Sequence, residues 1–219
     1  MVPIAGRMRQ WEASAGRVES KTAASRGPSQ PRDVRTVTEP ISREIYNPVQ
    51  RDRVVFVKMS SETGGEVTLA DMEVAPGGGN PLHFHTTFSE RFTVEEGEFG
   101  AQIGRRRLAL HAGESELVRP RVVHRWFNAS DRPVRVRLEL RPGNEGFERA
   151  LRIIYGLASD GLTNSAGIPK RLLHLAVLAQ MGDTRLAGLK RPLNLLFGLL
   201  ALVAHRRGVD AELARRYGV

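Results

Sequence analysis

Residues 77–97 read GGGNPLHFHTTFSERFTVEEG, with His83, His85 and Glu90 between a glycine run and a single glycine. Side chains two positions apart in a β-strand point to the same face, so His83 and His85 are predicted to present two imidazoles side by side. Glu90 has the same parity as Phe92, and an inward phenylalanine therefore places the carboxylate inward as well. The segment predicts two short strands that bring these polar groups to the inside of a β structure.

Residues 113–128, GESELVRPRVVHRWFN, add a fourth polar group. His124 has the same parity as Trp126, which again places an imidazole among inward apolar neighbours. Phe92 and Trp126 share the faces of the polar groups, and both are therefore candidates to line a pocket. His111 lies beside a turn glycine and is expected to be solvated.

Three neutral imidazoles and an ionised carboxylate are costly to bury together unless something compensates them. A divalent transition metal ion does so, since imidazole and carboxylate suit Fe, Mn, Ni, Zn and Cu. The sequence has no cysteine, which excludes thiolate zinc sites, iron–sulfur clusters and disulfides. Four protein ligands on an octahedral ion leave two positions open, an arrangement that favours reactivity. We predict one such ion, of unknown identity, bound by His83, His85, Glu90 and His124; the alternative is a chance His-x-His with an unrelated glutamate.

The two segments resemble the two sequence motifs of the cupin superfamily. Residues 77–97 match the first motif, G-x5-H-x-H-x4-E-x6-G, at every specified position, and residues 113–128 match the second from its glycine to its histidine and asparagine. Residues 41–142 resemble a small single-domain, RmlC-like cupin, and residues 156–169 are similar to uncharacterised bacterial cupins with a helical C-terminal extension. The resemblance implies a jelly-roll barrel with a metal ion held inside by the same four residues.

One turn departs from the second motif. Cupins usually have Pro-x-Gly ahead of the motif histidine, where this chain has Arg119-Pro120-Arg121. The turn that delivers His124 is therefore expected to use a conformation that an arginine adopts.

The chain of 219 residues divides into three parts by composition. Residues 1–40 are rich in Ser, Ala, Arg, Pro and Gly without a period, which predicts a disordered basic tail. Residues 41–146 contain many short, partly alternating runs, which predict the cupin β-barrel. Residues 147–219 have helical spacing of apolar residues and predict a helical extension. The expected fold is mainly β, an antiparallel jelly-roll barrel with an appended C-terminal α-helical segment.

The net charge of +9 does not point to nucleic acid. Residues 41–146 carry equal numbers of basic and acidic residues, so the predicted folded core lacks the basic stripe that nucleic-acid binding requires. No secretory signal is visible, and the longest apolar stretch, residues 193–204, is too short for a hydrocarbon core of ~30 Å. We expect a cytoplasmic protein.

The apolar stretch 193–204 is predicted to be a helix that needs burial on several sides. It could pack on the barrel, on the preceding helix or on a second subunit, and we expect a homodimer. Basic pairs at residues 190–191 and 206–207 also permit a membrane surface, the less favoured alternative. Arg119, Arg121 and Arg125 could ring the barrel mouth and attract an anion, although a solvated edge is the favoured interpretation.

The resemblance implies a metal-dependent enzyme, because dioxygenases of the quercetinase type, oxalate-active enzymes and some isomerases in the family use this ligand set. We expect a dioxygenase or a related oxidoreductase or isomerase acting on a small oxygen-bearing molecule, with Glu90 as the catalytic residue that moves protons. The alternative is a non-catalytic module that binds a small molecule or has a structural role. A further form of this alternative places the module on a membrane through its helical tail.

Overall fold

The computed structural model describes residues 42–187 and 191–219, so the tail predicted for residues 1–40 lies outside the described residues. Eleven strands are present in the described part of the chain: β1 (Glu44–Asn47), β2 (Asp52–Lys58), β3 (Thr68–Val74), β4 (His83–Phe84), β5 (Ser89–Glu96), β6 (Glu98–Ile103), β7 (Arg106–His111), β8 (Ser115–Val118), β9 (His124–Phe127), β10 (Val134–Arg141) and β11 (Arg185–Leu186). A short 3-10 helix, Ser60–Thr63, lies in the connection between β2 and β3.

The strands form two antiparallel sheets, with the orders β1-β2-β3-β10-β5-β8 and β11-β4-β9-β6-β7. Buried side chains of both sheets meet in one core, where the ring of Phe92 on β5 lies 5.5 Å from that of Phe99 on β6. The antiparallel jelly roll predicted from the sequence is thereby confirmed. The two sheets share no strand, so the fold is a pair of sheets rather than a closed hydrogen-bonded barrel.

Strand β10 shows how the alternating sequence produces this arrangement. Every second side chain of the strand is buried and the residues between them face outward. An outward residue, Arg137, donates to Asp71 of β3 at 2.9 Å. The inward positions of the strand are Val134, Val136, Leu138 and Leu140.

Four helices follow in the described residues: α1 (Glu145–Ser159), α2 (Leu172–Met181), α3 (Arg191–Arg206) and α4 (Val209–Tyr217). Helix α1 begins where the Asn144 side chain accepts a hydrogen bond from the backbone N–H of Phe147 at 2.8 Å. The predicted helical segment is confirmed, with one difference. Strand β11 lies within it and pairs with β4, Arg185 opposite Phe84, so the segment also adds a strand to the second sheet.

Helix α1 has two buried faces. Phe147 and Tyr155 join the core of the jelly roll, whereas Ile153 and Leu157 join a second apolar cluster with residues of α2, α3 and α4. The helix therefore connects the β core to the helical segment.

Two buried carboxylates attach α1 to the sheets. Glu148 is 1% exposed and accepts hydrogen bonds from the backbone N–H of Ser60, at 2.7 Å, and from the hydroxyl of Thr68. Asp52 of β2 is also 1% exposed and accepts a hydrogen bond from the hydroxyl of Tyr155. Burial raises the pKa of Asp52 to about 7, although its hydrogen bonds oppose the rise.

Helix α3 leaves apolar side chains in contact with solvent: Leu196, Leu199, Leu202 and Val203 are 39–62% exposed. The homodimer and the membrane contact expected for this part of the chain stay predictions. None of the helices in residues 42–187 and 191–219 has the length and apolar character needed to cross a membrane.

The buried carboxyl of Asp52 predicts a pH dependence of stability. Folding raises its pKa, so between pH ~4 and ~7 the folded protein binds this proton more tightly than the unfolded chain. The stability it contributes is present at low pH and is lost as the pH rises to about 7. Between pH 5 and pH 8 we expect the unfolding free energy of wild type to fall by about 3 kcal/mol more than that of Asp52→Asn.

Urea unfolding of wild type and Asp52→Asn at the two pH values measures this difference. Asp131→Asn, at an exposed position, is the control and should keep the wild-type pH dependence. A variant Asp52→Asn with the same pH dependence as wild type would contradict the assignment.

Candidate metal centre

The four predicted ligands come from both sheets and meet between them. His83 of β4 lies directly opposite His124 of β9, and His85 follows the end of β4. Glu90 lies on β5 of the other sheet, in register with Leu140. All four side chains are buried, and one ligand atom from each lies within 4.8 Å of the others. The structure therefore brings together the four residues that the sequence identifies.

Backbone carbonyls set the tautomer of the three imidazoles in the cluster. The Nδ1 atom of His83 lies 2.9 Å from the carbonyl of Pro81, and that of His124 lies 3.0 Å from the carbonyl of Val122. The Nδ1 atom of His85 lies 3.1 Å from the carbonyl of Asp183. Because a carbonyl only accepts, each Nδ1 carries the proton. Each Nε2 is left with a lone pair for a metal ion.

Burial keeps two of the imidazoles neutral. It lowers the pKa of His83 to about 3, with His124 and His85 acting in the same direction. It also lowers the pKa of His85, against the opposing attraction of Glu90. Neutral imidazoles are the form that binds a metal ion, so no proton has to leave these two residues.

Glu90 and His124 influence one another strongly. Burial would raise the pKa of Glu90, but the surrounding imidazoles outweigh it and lower the pKa to about 2. Burial would likewise lower the pKa of His124, and the Glu90 carboxylate outweighs it and raises that pKa. The carboxylate is therefore ionised at neutral pH and attracts positive charge to this point.

The unpartnered atoms of the cluster fit a cation. The Nε2 atoms of His85 and His124 and Oε2 of Glu90 are buried without a hydrogen-bond partner among the described residues. Oε2 lies 2.6 Å from Nε2 of His124 and 3.5 Å from Nε2 of His85. Lone pairs this close require a proton or a cation between them. A divalent ion bound by all four residues satisfies every one of these atoms, and the residues present fit such an ion.

A residue of the C-terminal segment holds the turn next to His85. The Asp183 carboxylate accepts hydrogen bonds from the backbone N–H groups of Thr86 and Thr87, at 2.6 and 2.7 Å, and from both of their hydroxyls. These bonds place the Asp183 carbonyl on Nδ1 of His85. Asp183 has φ 46, a left-handed conformation that the surrounding bonds maintain. Sequence reasoning missed this residue, which carries no motif.

The turn before His124 differs from the expectation. Arg121 has φ 68, in the left-handed region that a glycine would adopt, rather than a conformation that suits arginine. Its backbone N–H donates to the carbonyl of His85 at 2.6 Å, and this bond joins the turn to the first motif. The motif glycines Gly77 and Gly97 have φ 73 and 86 and occupy the same region.

A cavity of about 140 Å³ lies against the cluster, between the jelly roll and the helical segment. His83, His85, Glu90 and Trp126 belong to its wall, and α1 and α2 cover the other side. Phe92 is packed in the core beside Phe99 and is not one of the described residues that line the cavity. Of the two pocket candidates, the structure therefore places Trp126 at the cavity.

The three arginines near the second motif do not contact this cavity. Arg119 and Arg121 are exposed, and Arg125 donates to Gln102 at 3.1 Å. None of the three is among the residues that line the cavity. Their positions agree with a solvated edge.

Comparison with known proteins gives one family match, which lies within the β part of the chain. Residues 70–140 match the family model described as a cupin domain. No curated protein matches the chain. The match ends before α1, so it does not include the helices that cover the cavity.

Solved structures similar to this chain include an RmlC-like cupin, the protein KdgF and a polyketide cyclase. An RmlC-like cupin from Shewanella frigidimarina has 22% identity and a TM-score of 0.42, over 48% of this chain and 88% of its own. KdgF from Halomonas sp. has 13% identity and a TM-score of 0.40, over 43% and 82%. The polyketide cyclase RemF from Streptomyces resistomycificus has 17% identity and a TM-score of 0.39, over 46% and 68%.

Removal of a ligand should abolish tight metal binding. We expect wild type to bind one Ni²⁺ per chain and His124→Ala to bind it at least about a hundredfold more weakly, since a buried nitrogen donor is lost. Titration calorimetry of the metal-free proteins measures both values. The control is His111→Ala, whose imidazole is exposed, and its affinity should equal that of wild type. Equal affinity of His124→Ala and wild type would contradict the site.

Loss of the Asp183 carboxylate should weaken the site without removing a ligand. Asp183→Gly keeps a residue that adopts φ 46 and removes the bonds to Thr86 and Thr87. We expect Ni²⁺ affinity to fall about tenfold or more, as it does when a group that orients a ligand is removed.

Asp131→Gly, at an exposed loop position, is the matched control and should leave the affinity unchanged. Wild-type affinity in Asp183→Gly would show that His85 does not depend on this turn.

Proposed function

Residues 70–140 are a cupin domain, and on this premise we propose that the chain is a mononuclear metal enzyme that acts on a small oxygen-bearing molecule in the cavity. We propose an oxidoreductase of the dioxygenase type or an isomerase. One observation carries the proposal: three imidazole nitrogens and a carboxylate converge, and three residues of this cluster, His83, His85 and Glu90, line a cavity. A site with only a structural role would not need to face a space of this size.

The four residues His83, His85, Glu90 and His124 would hold the metal ion. A bound ion would supply Lewis acidity toward an oxygen atom of the substrate or of O₂. Backbone carbonyls keep the imidazoles in the metal-binding tautomer, so the donors do not have to reorganise. Apolar side chains around the cluster exclude water and strengthen the electrostatic interactions within it.

Glu90 is the best candidate to hold or move a proton. It is the one carboxylate among the described residues that line the cavity. Apart from the cluster, Tyr155 is the titratable side chain on the wall, and its hydroxyl already donates to Asp52. Burial also raises the pKa of Tyr155 well above its usual value, so Tyr155 does not act as a base. Proton transfer by the chain itself therefore rests on Glu90.

A second candidate function is a module that binds a small molecule without converting it. The observation that favours it is the small number of groups able to transfer protons on the cavity wall. In this case the metal ion and the bound molecule stabilise the fold. The cytoplasmic location expected from the sequence stays a prediction for either function.

Turnover by metal-loaded protein distinguishes the two functions. Protein loaded with Fe(II), Mn(II) or Ni(II) is incubated with flavonols, diketones and carboxylic acids, and O₂ uptake and products are followed. We expect at least one compound to be converted, and Glu90→Gln with its metal retained to lower kcat by about a hundredfold.

His111→Ala is the control and should keep the wild-type rate. Binding without conversion across all compounds and metals would contradict the enzyme and support the binding module. A Glu90→Gln protein with normal metal content and normal kcat would exclude Glu90 as the proton-transfer group.

A further inference from the structure

The walls of the cavity are apolar on both sides. The jelly roll contributes Val54, Met72 and Leu138, and the helical segment contributes Leu151, Ile154 and Leu175. An enclosed apolar space of about 150 Å³ is known to bind a molecule of the size of benzene. The volume here, about 140 Å³, therefore suits a small molecule with a hydrocarbon part.

Away from the metal cluster, no described side chain on the cavity wall could form an ion pair with an anionic ligand. No lysine or arginine is among the described residues that line it. Some of its uncharged polar groups are already engaged: the side-chain oxygen of Asn80 accepts from the backbone of Trp126 at 2.9 Å, and Thr184 donates to the carbonyl of Gly182 at 3.1 Å. Tyr155 donates to Asp52. The Gln50 side chain, the indole N–H of Trp126 and the amide N–H groups of Asn80 form no hydrogen bond to another described residue, so uncharged groups are what this wall offers to a ligand.

A metal ion bound in the cluster would be neutralised by one negative charge on the ligand. A divalent ion held by this cluster would keep one positive charge, because the cluster contains one carboxylate, Glu90, and histidines bind a metal ion as neutral imidazoles. One anionic oxygen on the ligand would neutralise it. A second anionic group would lie among apolar side chains without a counter-ion, and the loss of its hydration would not be compensated.

We propose that the cavity binds an apolar molecule with a single oxygen function, neutral or singly charged, at the metal cluster, and that it rejects ligands with two anionic groups. Dicarboxylates and sugar phosphates are thereby excluded. This inference rests on the proposed metal centre and specifies the substrate class of the proposed enzyme. It uses residues of α1 and α2, which lie outside the family match.

Hexanoate and adipate test the proposal directly, since the two have six carbons and differ by one carboxylate. Binding to Ni²⁺-loaded protein is measured by titration calorimetry and by the shift in melting temperature, with glucose 6-phosphate as a third probe. We expect hexanoate to bind at least tenfold more tightly than adipate, and glucose 6-phosphate not to bind. Adipate binding as tight as that of hexanoate, or no binding of hexanoate, would overturn the proposal.

A variant that fills the cavity tests whether hexanoate binds there. Ala179 lies on the wall, and Ala179→Phe should weaken hexanoate binding at least tenfold while Ni²⁺ affinity stays within twofold of wild type. Ala211→Phe, at an exposed position on α4, is the matched control and should change neither value. Unchanged hexanoate binding in Ala179→Phe would show that the ligand lies elsewhere. If this variant does not fold, the comparison of hexanoate with adipate on wild-type protein still tests the proposal.

These measurements separate the two proposals. Selective hexanoate binding without any turnover would contradict the enzyme and support this inference. Turnover accompanied by tight adipate binding would support the enzyme and contradict this inference.

Discussion

Burial of an ionised carboxylate beside three imidazoles is the constraint on which the rest of the site depends. Glu90 is 4% exposed, and the described residues that line the cavity beside it include no lysine or arginine. His83 and His85 are kept neutral by burial and do not compensate its charge, so a proton on His124 or a bound cation has to do so. A bound cation would also connect the two sheets, since Glu90 belongs to one sheet and His83 and His124 lie on the other.

The helical segment takes part in the site as well as covering it. Strand β11 extends the sheet that carries His83, and the neighbouring Asp183 fixes both the turn after His85 and the tautomer of its imidazole. Helices α1 and α2 supply one wall of the cavity. The jelly roll therefore contributes the ligands, and the segment that follows it contributes orientation and part of the apolar surroundings.

Much of the site could be predicted from the sequence because motif spacing and strand parity are local properties. His83, Glu90 and His124 lie at inward positions of strands, as parity indicates, and His85 lies just past the end of β4 with its side chain in the same cluster. The prediction that Phe92 lines the pocket was wrong, because strand parity specifies the face of the strand and not the position of a side chain along it. Glu90 reaches the cavity, whereas Phe92 lies two residues further and packs on Phe99.

Other features of the site had no signal in the sequence. Strand β11 has two residues, too few to show a period, and the bonds from Asp183 to Thr86 join residues 97 positions apart. The left-handed conformation of Arg121 was also missed, because it results from the bond to His85 rather than from the preference of arginine. Tertiary contacts determine all three features, and local patterns do not encode them.

X-ray absorption of the Zn²⁺-loaded protein tests the central claim most directly, because it counts the donors around the ion and identifies them. The predicted spectrum has nitrogen and oxygen donors at about 2.0–2.2 Å, three of them imidazoles, and the imidazole signal decreases by one in His124→Ala. A spectrum with no imidazole donors, or one that is the same in wild type and His124→Ala, would contradict the account.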